Sequence, residues 1–152
     1  MKKIILTLAA AICMLTTNAQ KWNLDQSHTN ITFSTKYMVV SELEGTFKKF
    51  DGTFTSSNPD FSDLQISFNV DVNSVNTENA MRDKHLKSDD FFNAEKYPTM
   101  TFKSTSVKKT SDKKYILEGL LTIRDITKKV NFDVTYGGTV NDPWTKIRYK
   151  ID

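Results

Sequence analysis

Residues 64–72 constrain the fold more than any other stretch of the chain. Leu64, Ile66, Phe68, Val70 and Val72 alternate with Gln65, Ser67, Asn69 and Asp71. Successive side chains of a strand point to opposite faces, so this run buries one side and wets the other, as antiparallel sheets do. A helix would scatter the same residues around its circumference, and strict alternation excludes an amphipathic one here. Val130, Phe132, Val134 and Tyr136 repeat the pattern against Asn131, Asp133 and Thr135. Tyr115, Leu117, Leu121 and Ile123 make a third apolar face, with Gly119 in its middle as a candidate bulge or tight bend. Ile31 and Phe33 make a fourth. Phe47 and Phe50 break the two-residue period, which predicts a corner or bulge at Lys48 and Lys49. Turn-forming residues at 56–60, 111–114 and 137–138 separate these runs.

Helix signals are few. Asn76 or Thr77 is placed to cap a helix running towards Leu86. Ser88, followed by Asp89 and Asp90, suits the start of a short helical excursion that would deliver Phe91 and Phe92 to the end of a sheet. Pro98 stops any helix, and Met100 and Phe102 then alternate with Thr99, Thr101 and Lys103. Regularly spaced strands with one helical insertion read as an antiparallel barrel or sandwich.

The N-terminus reads as a secretory signal peptide over residues 1–19. Lys2 and Lys3 precede an apolar run at residues 4–15, and Thr17, Asn18 and Ala19 offer small residues for cleavage before Gln20. The run is shorter than the roughly 20 residues a membrane span needs. Cys13 does not suit a lipoprotein signal, because the bulky Ile12 precedes it. Cleavage leaves one domain at residues 20–152 without cysteine, so without a disulfide, a thiol nucleophile or a thiolate metal site. Loss of Lys2 and Lys3 leaves 19 basic against 18 acidic residues, a net charge of +1. That balance gives no electrostatic case for nucleic acid.

Candidates for catalysis are sparse. His28 and His85 are the only histidines, and neither has a partner at metal-ligand spacing. Ser27 and His28 are adjacent, and on a strand adjacent side chains diverge, which predicts no nucleophile-base pair. The chain has no G-x-S-x-G elbow and no Gly-rich phosphate loop. Arg82, Lys84, Lys36 and Tyr37 are candidates for reading a head group, but the ordinary reading, solvated charge, is favoured for them. Arg82 and Asp83 also suit a structural role, tying the helix to the rim of a barrel. The ten phenylalanines point to binding instead. A barrel of about eight strands either fills its interior with side chains or holds one small ligand. Alternation alone favours the filled interior.

Four spaced motifs do bear on that choice. Residues 82–102, RDKHLKSDDFFNAEKYPTMTF, closely resemble the signature of the YceI-like family of periplasmic polyisoprenoid-binding proteins. Trp22, Asp25, Ser27 and His28 before Ile31 and Phe33 look like its opening strand. Gly45, Phe47, Phe50 and Gly52 resemble its G-x-F-x-x-F-x-G hairpin. Leu121-Thr122-Ile123-Arg124-Asp125-Ile126-Thr127-Lys128-Lys129-Val130 is similar to its L-T-I-x-G-V-T-K-x-V turn, with Asp125 in place of Gly. Asp tolerates a left-handed backbone, so the turn is expected to survive at Asp125.

The resemblance implies an all-β fold, an antiparallel extended lipocalin-like β-barrel with a short helical insertion. Family members usually continue past a motif like Asp142-Pro143-Trp144 into a further hairpin, so a shortened, incompletely closed barrel is expected here, with a homodimer as one way of covering the gap. It further implies a non-enzymatic carrier without a cofactor. Its ligand would be an amphiphilic lipid, a polyisoprenoid or an isoprenoid quinone, and it would not insert stably in a membrane. A stress-related interaction module with a filled core, or an accessory presenting a quinone or lipid to a membrane redox enzyme, are the alternatives. Residues that would line the tunnel are Ile31, Phe33, Phe47, Ile66, Phe68, Val70, Phe91, Phe92, Met100, Phe102, Leu117, Leu121, Ile123, Phe132 and Val134. An apolar ligand of this kind needs no polar anchor, since burial alone gains about 25 cal/mol per Å².

Overall fold

The computed structural model describes residues 20–141 and 148–149. The expected signal segment, Asp142-Pro143-Trp144 and the final residues fall outside them. In chain order the strands are β1 (Gln20–Asn23), β2 (Ile31–Tyr37), β3 (Ser41–Phe47), β4 (Phe50–Ser56), β5 (Gln65–Asp71), β6 (Val75–Asn76), β7 (Thr99–Ser111), β8 (Lys114–Ile123), β9 (Ile126–Thr135), β10 (Val140–Asn141) and β11 (Arg148–Tyr149). One helix, α1 (Ala80–Lys87), stands between β6 and β7.

Every ladder is antiparallel. A large sheet runs β1-β4-β5-β7-β8-β9, a smaller one β2-β3-β6, and β10 pairs with β11. Among the described residues no ladder joins the edges β1 and β9 to β2 and β6. The antiparallel sheet is therefore present without closure into a barrel.

The predicted corner at Lys48 and Lys49 is where the chain passes from the small sheet to the large one. The Lys48 amide donates to the Ser74 carbonyl at 3.1 Å, and the Asp71 amide donates to the Lys49 carbonyl at 2.9 Å. Gly119 does its work at a bulge, as expected, but the extra residue lies on its partner strand. Ser104 pairs with Gly119 and Ser106 with Glu118, which leaves Thr105 as the unpaired residue of β7.

Two apolar clusters hold the fold. Phe47, Val70, Val72, Val75, Ala94 and Met100 join the two sheets, with Ile31, Phe33, Phe50, Leu86, Phe92 and Ile123 packed around them. Phe54, Leu64, Ile66, Phe102 and Leu117 make a second cluster on the large sheet. Each fully buried side chain of this kind contributes about 1.5–3 kcal/mol.

The helical region differs from the expectation. Asn79, not Asn76 or Thr77, caps α1, its side chain accepting from the Arg82 amide at 3.0 Å. Thr77 is engaged elsewhere: its hydroxyl donates to Asp83 at 2.6 Å and accepts from Arg82 Nε at 2.7 Å. Ser88 ends α1 rather than starting a helix, and its hydroxyl donates to the His85 carbonyl at 2.7 Å. The chain then turns, with amides of Phe92 and Ala94 returning to the carbonyls of Leu86 and Lys87. Phe92 reaches the core, 5.9 Å from the Phe47 ring, whereas Phe91 stays 47% exposed against His85.

The β8–β9 turn also departs from the expectation. Arg124 takes the left-handed backbone, at φ 58°, and Asp125 is not among the residues with positive φ. A two-residue hairpin needs that conformation at its first central position when the turn is of the II′ kind. Arg124 Nη1 donates to the carbonyls of Asp89 and Phe91 at 3.2 and 3.0 Å, which holds the turn against the segment after α1.

Candidate functional site

Among the described residues the inward faces of β4, β5, β7, β8 and β9 are not covered along their whole length, and they line a cavity of about 1010 Å³ that is partly open to solvent. That is at the upper end of the volumes usual for small-molecule sites, about 300–1,000 Å³. The floor comes from alternating residues of the strands, including Phe54 of β4, Ile66, Phe68 and Val70 of β5, and Met100 and Phe102 of β7. Leu117 and Leu121 of β8 and Phe132 and Val134 of β9 continue it. Trp22 and Asn23 of β1, in the same sheet, and residues 24–25 and 28–32 beyond it complete the lining.

Two glycines let the floor lie flat. A Cβ on Gly119 would stand 2.3 Å from the Phe102 ring, and one on Gly52 would stand 2.8 Å from the Phe68 ring. Both rings therefore occupy space that any other residue would take. Among the described residues β9 is the outer strand of its sheet, and Phe132 lines the cavity and yet remains 45% exposed.

Ten of the fifteen proposed lining residues stand on this wall: Ile31, Ile66, Phe68, Val70, Met100, Phe102, Leu117, Leu121, Phe132 and Val134. Phe33, Phe47, Phe92 and Ile123 belong to the cluster that joins the two sheets, and Phe91 is on the surface. Sequence reasoning passed over Trp22, Leu24, Phe54, Phe61 and Tyr136, which also line the cavity. Phe54 shares the parity of its neighbours and was findable. Phe61 was not, because it sits in a loop with left-handed backbone at φ 58°, where it packs between Trp22 and Tyr136 at 6.0 and 5.1 Å.

The polar part of the wall centres on Asp25 and His28. Contrary to the expectation, Ser27 and His28 do meet, because they lie in a turn and not on a strand. Ser27 Oγ is 3.1 Å from His28 Nδ1, and Asp25 Oδ2 is 2.5 Å from the same nitrogen. A nucleophile and its orienting carboxylate must bind opposite ring nitrogens for proton relay. Here both sit at Nδ1, and the Ser27 hydroxyl donates to Asp25 Oδ1 at 2.6 Å. Those hydrogen bonds from Ser27 and then His28 lower the Asp25 pKa from 3.8 to about 2. The cluster is a stabilised turn carrying an anion and an imidazole to the cavity wall.

Arg82 and Lys84 do not stand on that wall. Arg82 is committed to Thr77 through Oγ1 and the carbonyl, both at 2.7 Å, and so ties α1 to the strand before it. Among the described residues no group of three His, Cys, Asp or Glu side chains is placed to hold a metal ion.

A sequence model described as the YceI-like domain matches residues 22–152. Protein YceI of Salmonella newport is 40% identical over 149 residues, which cover 95% of this chain and 78% of that protein. The Campylobacter jejuni YCEI protein, whose crystals have large solvent channels, is similar in structure at a TM-score of 0.64. It is 34% identical, and the match covers 80% of this chain and 71% of that one. Burkholderia cenocepacia BcnA shares the fold at a TM-score of 0.73 and 24% identity, over 78% of this chain and 74% of that one. The motifs, the antiparallel sheet and these matches agree, and the chain belongs to the YceI-like family.

Proposed function

We propose that this protein binds a polyisoprenoid or a similar amphiphilic lipid in the cavity, and carries or sequesters it in the periplasm after loss of residues 1–19. The observation that carries the reading is the unfilled volume of about 1010 Å³ behind a mainly apolar wall. Water in such a space makes few hydrogen bonds, and an aliphatic tail displaces it at a gain of about 25 cal/mol per Å². The tail lies along Phe68, Phe102 and Leu121. The head group meets the polar wall at Asp25 and His28, where the Asp25 anion suits a hydroxyl donor and disfavours a phosphate. No step of this process makes or breaks a covalent bond. Among the described residues no side chain fills this volume, which supports binding over the filled-core alternative.

The test is to express the full chain, purify it from the periplasm, extract it with organic solvent and identify bound lipid by mass spectrometry. Stoichiometric isoprenoid supports the reading. A folded protein that yields no lipid and takes up none from added isoprenoid overturns it.

A further inference from the structure

The β2–β3 hairpin ends in an apolar tip for which the cavity has no use. From Ser34 onward β2 is exposed at every position, and so are Ser41 and Glu42 at the start of β3, so the hairpin projects as an arm. Met38, Val39 and Val40 at its end are 74%, 94% and 88% exposed, beside Tyr37 at 57%. The backbone adds a second, independent observation. Met38 and Val39 sit at φ 47° and 67°, in the left-handed region. Turns fill that region with Gly, Asn or Asp, and a β-branched residue there is strained. A three-residue hairpin loop shaped for folding alone would place Gly at its left-handed position. Solvation and backbone both oppose these residues, so their presence calls for a partner.

We propose that this tip is a peripheral membrane anchor whose partner is the interfacial layer of a lipid bilayer. Its size and shape favour a bilayer over a protein. A stable protein interface takes about 800 Å² from each partner, roughly 20–30 residues, and the tip is a convex point a few residues wide. A bilayer accepts such a wedge without a matching hollow. Tyr37 stands at the base of the wedge, with the apolar ring and polar hydroxyl that settle at head-group level. Charge does not drive the contact: Lys36 stands opposite Glu42 in the ladder, and Glu44 adds a further negative charge. The anchor rests on the lipid-carrier reading for its purpose, since it would bring the cavity to the membrane that holds its cargo, but the contact itself is testable without cargo.

The full chain, purified from the periplasm, is floated on density gradients with phosphatidylcholine vesicles and with vesicles containing phosphatidylglycerol. The wild type is expected to float with both and to do so at high salt, since screening weakens only charge-driven binding. Val39→Asp should lower the bound fraction about tenfold or more. Val39→Gly should raise Tm by relieving the left-handed strain and still lower flotation, which a merely structural tip would not do. Lipid extracted from the same preparations separates the two readings. Cargo present with unchanged flotation of Val39→Asp overturns the anchor and leaves the carrier. Flotation that Val39→Asp abolishes, from a protein that never holds isoprenoid, supports the anchor and overturns the carrier. Flotation confined to phosphatidylglycerol and lost in salt overturns the anchor. So does a wild-type dimer that Val39→Asp converts to monomer in sedimentation equilibrium, because the tip would then be covered by a second copy.

Discussion

Asp63 accepts from the Ser56 hydroxyl at 2.6 Å and from the amides of Ser57 and Asn58 at 2.8 and 3.1 Å. The Ser56 hydroxyl first, then the Ser57 amide, lower its pKa from 3.8 to about 2. Asp25 is lowered equally far by Ser27 and His28. A depressed folded-state pKa means that the unfolded chain binds protons first as pH falls. The stability these carboxylates contribute is full above about pH 4 and is lost as pH drops through about 2. Asp63→Asn should therefore melt at a lower temperature than wild type near neutral pH, and the gap should narrow towards about pH 2 in circular-dichroism melts. A gap independent of pH would mean that the charge is not what holds this turn. Gly119 makes a different demand. Its missing Cβ leaves room for the Phe102 ring and also for the Lys103 carbonyl, 2.6 Å from where a Cβ would be. Gly119→Ala should cost about 1–3 kcal/mol, read from denaturant midpoints, because the backbone contact cannot yield as a side chain would.

The β8–β9 turn combines a strained residue with a useful one. Arg124 occupies left-handed backbone and also bonds two carbonyls of the 89–91 segment, with its guanidinium carbon 5.6 Å from the centre of the Tyr97 ring. Arg124→Ala loses the bonds and keeps the strain, while Arg124→Gly loses the bonds and the strain together. The alanine variant should be the less stable by about 1–2 kcal/mol. Equal stabilities would place the strain elsewhere. This turn also marks a limit of reading elements from sequence. Ile123 and Ile126 pair, so the hairpin and its two-residue loop were legible, but which of Arg124 and Asp125 turns left-handed was not. Composition pointed to Asp125, while the bonds that hold Arg124 come from residues more than thirty positions away. Ser27 and His28 were misread for a related reason: side chains diverge only on a strand, and β1 ends at Asn23. The inward parity of β5, of β8 and of β7 as far as Phe102 was legible, because a two-residue period is a local property, while the bulge at Thr105 was not. Phe91 and Phe92 had no such period, and only the returning hydrogen bonds after α1 decide which of them is buried.

Parity says which side chains face inward but not what they meet there. Phe68, Phe102 and Leu121 would alternate in the same way beneath a filled core or around an empty one, and the difference lies in what covers them. Phe47, Val72, Val75 and Met100 cover one part of the large sheet, while along the cavity the small sheet contributes, among the described residues, only Ile31 and Thr32. Filling the cavity from one side isolates its role. Leu121 lies on the wall near the C-terminal end of β8, paired with Phe102, and the space before it is large enough for an indole. Leu121→Trp should fold with a Tm at or above that of the delipidated wild type, since it buries new apolar surface without crowding a packed core. It should also purify with little or no lipid. A ligand that binds only the folded state adds RT ln(1 + [L]/Kd), about 2.7 kcal/mol at a hundredfold excess over Kd. Delipidation should therefore lower the Tm of the wild type and leave that of Leu121→Trp unchanged. A variant that keeps its full lipid complement and its sensitivity to delipidation would place the ligand outside this cavity, whatever its volume.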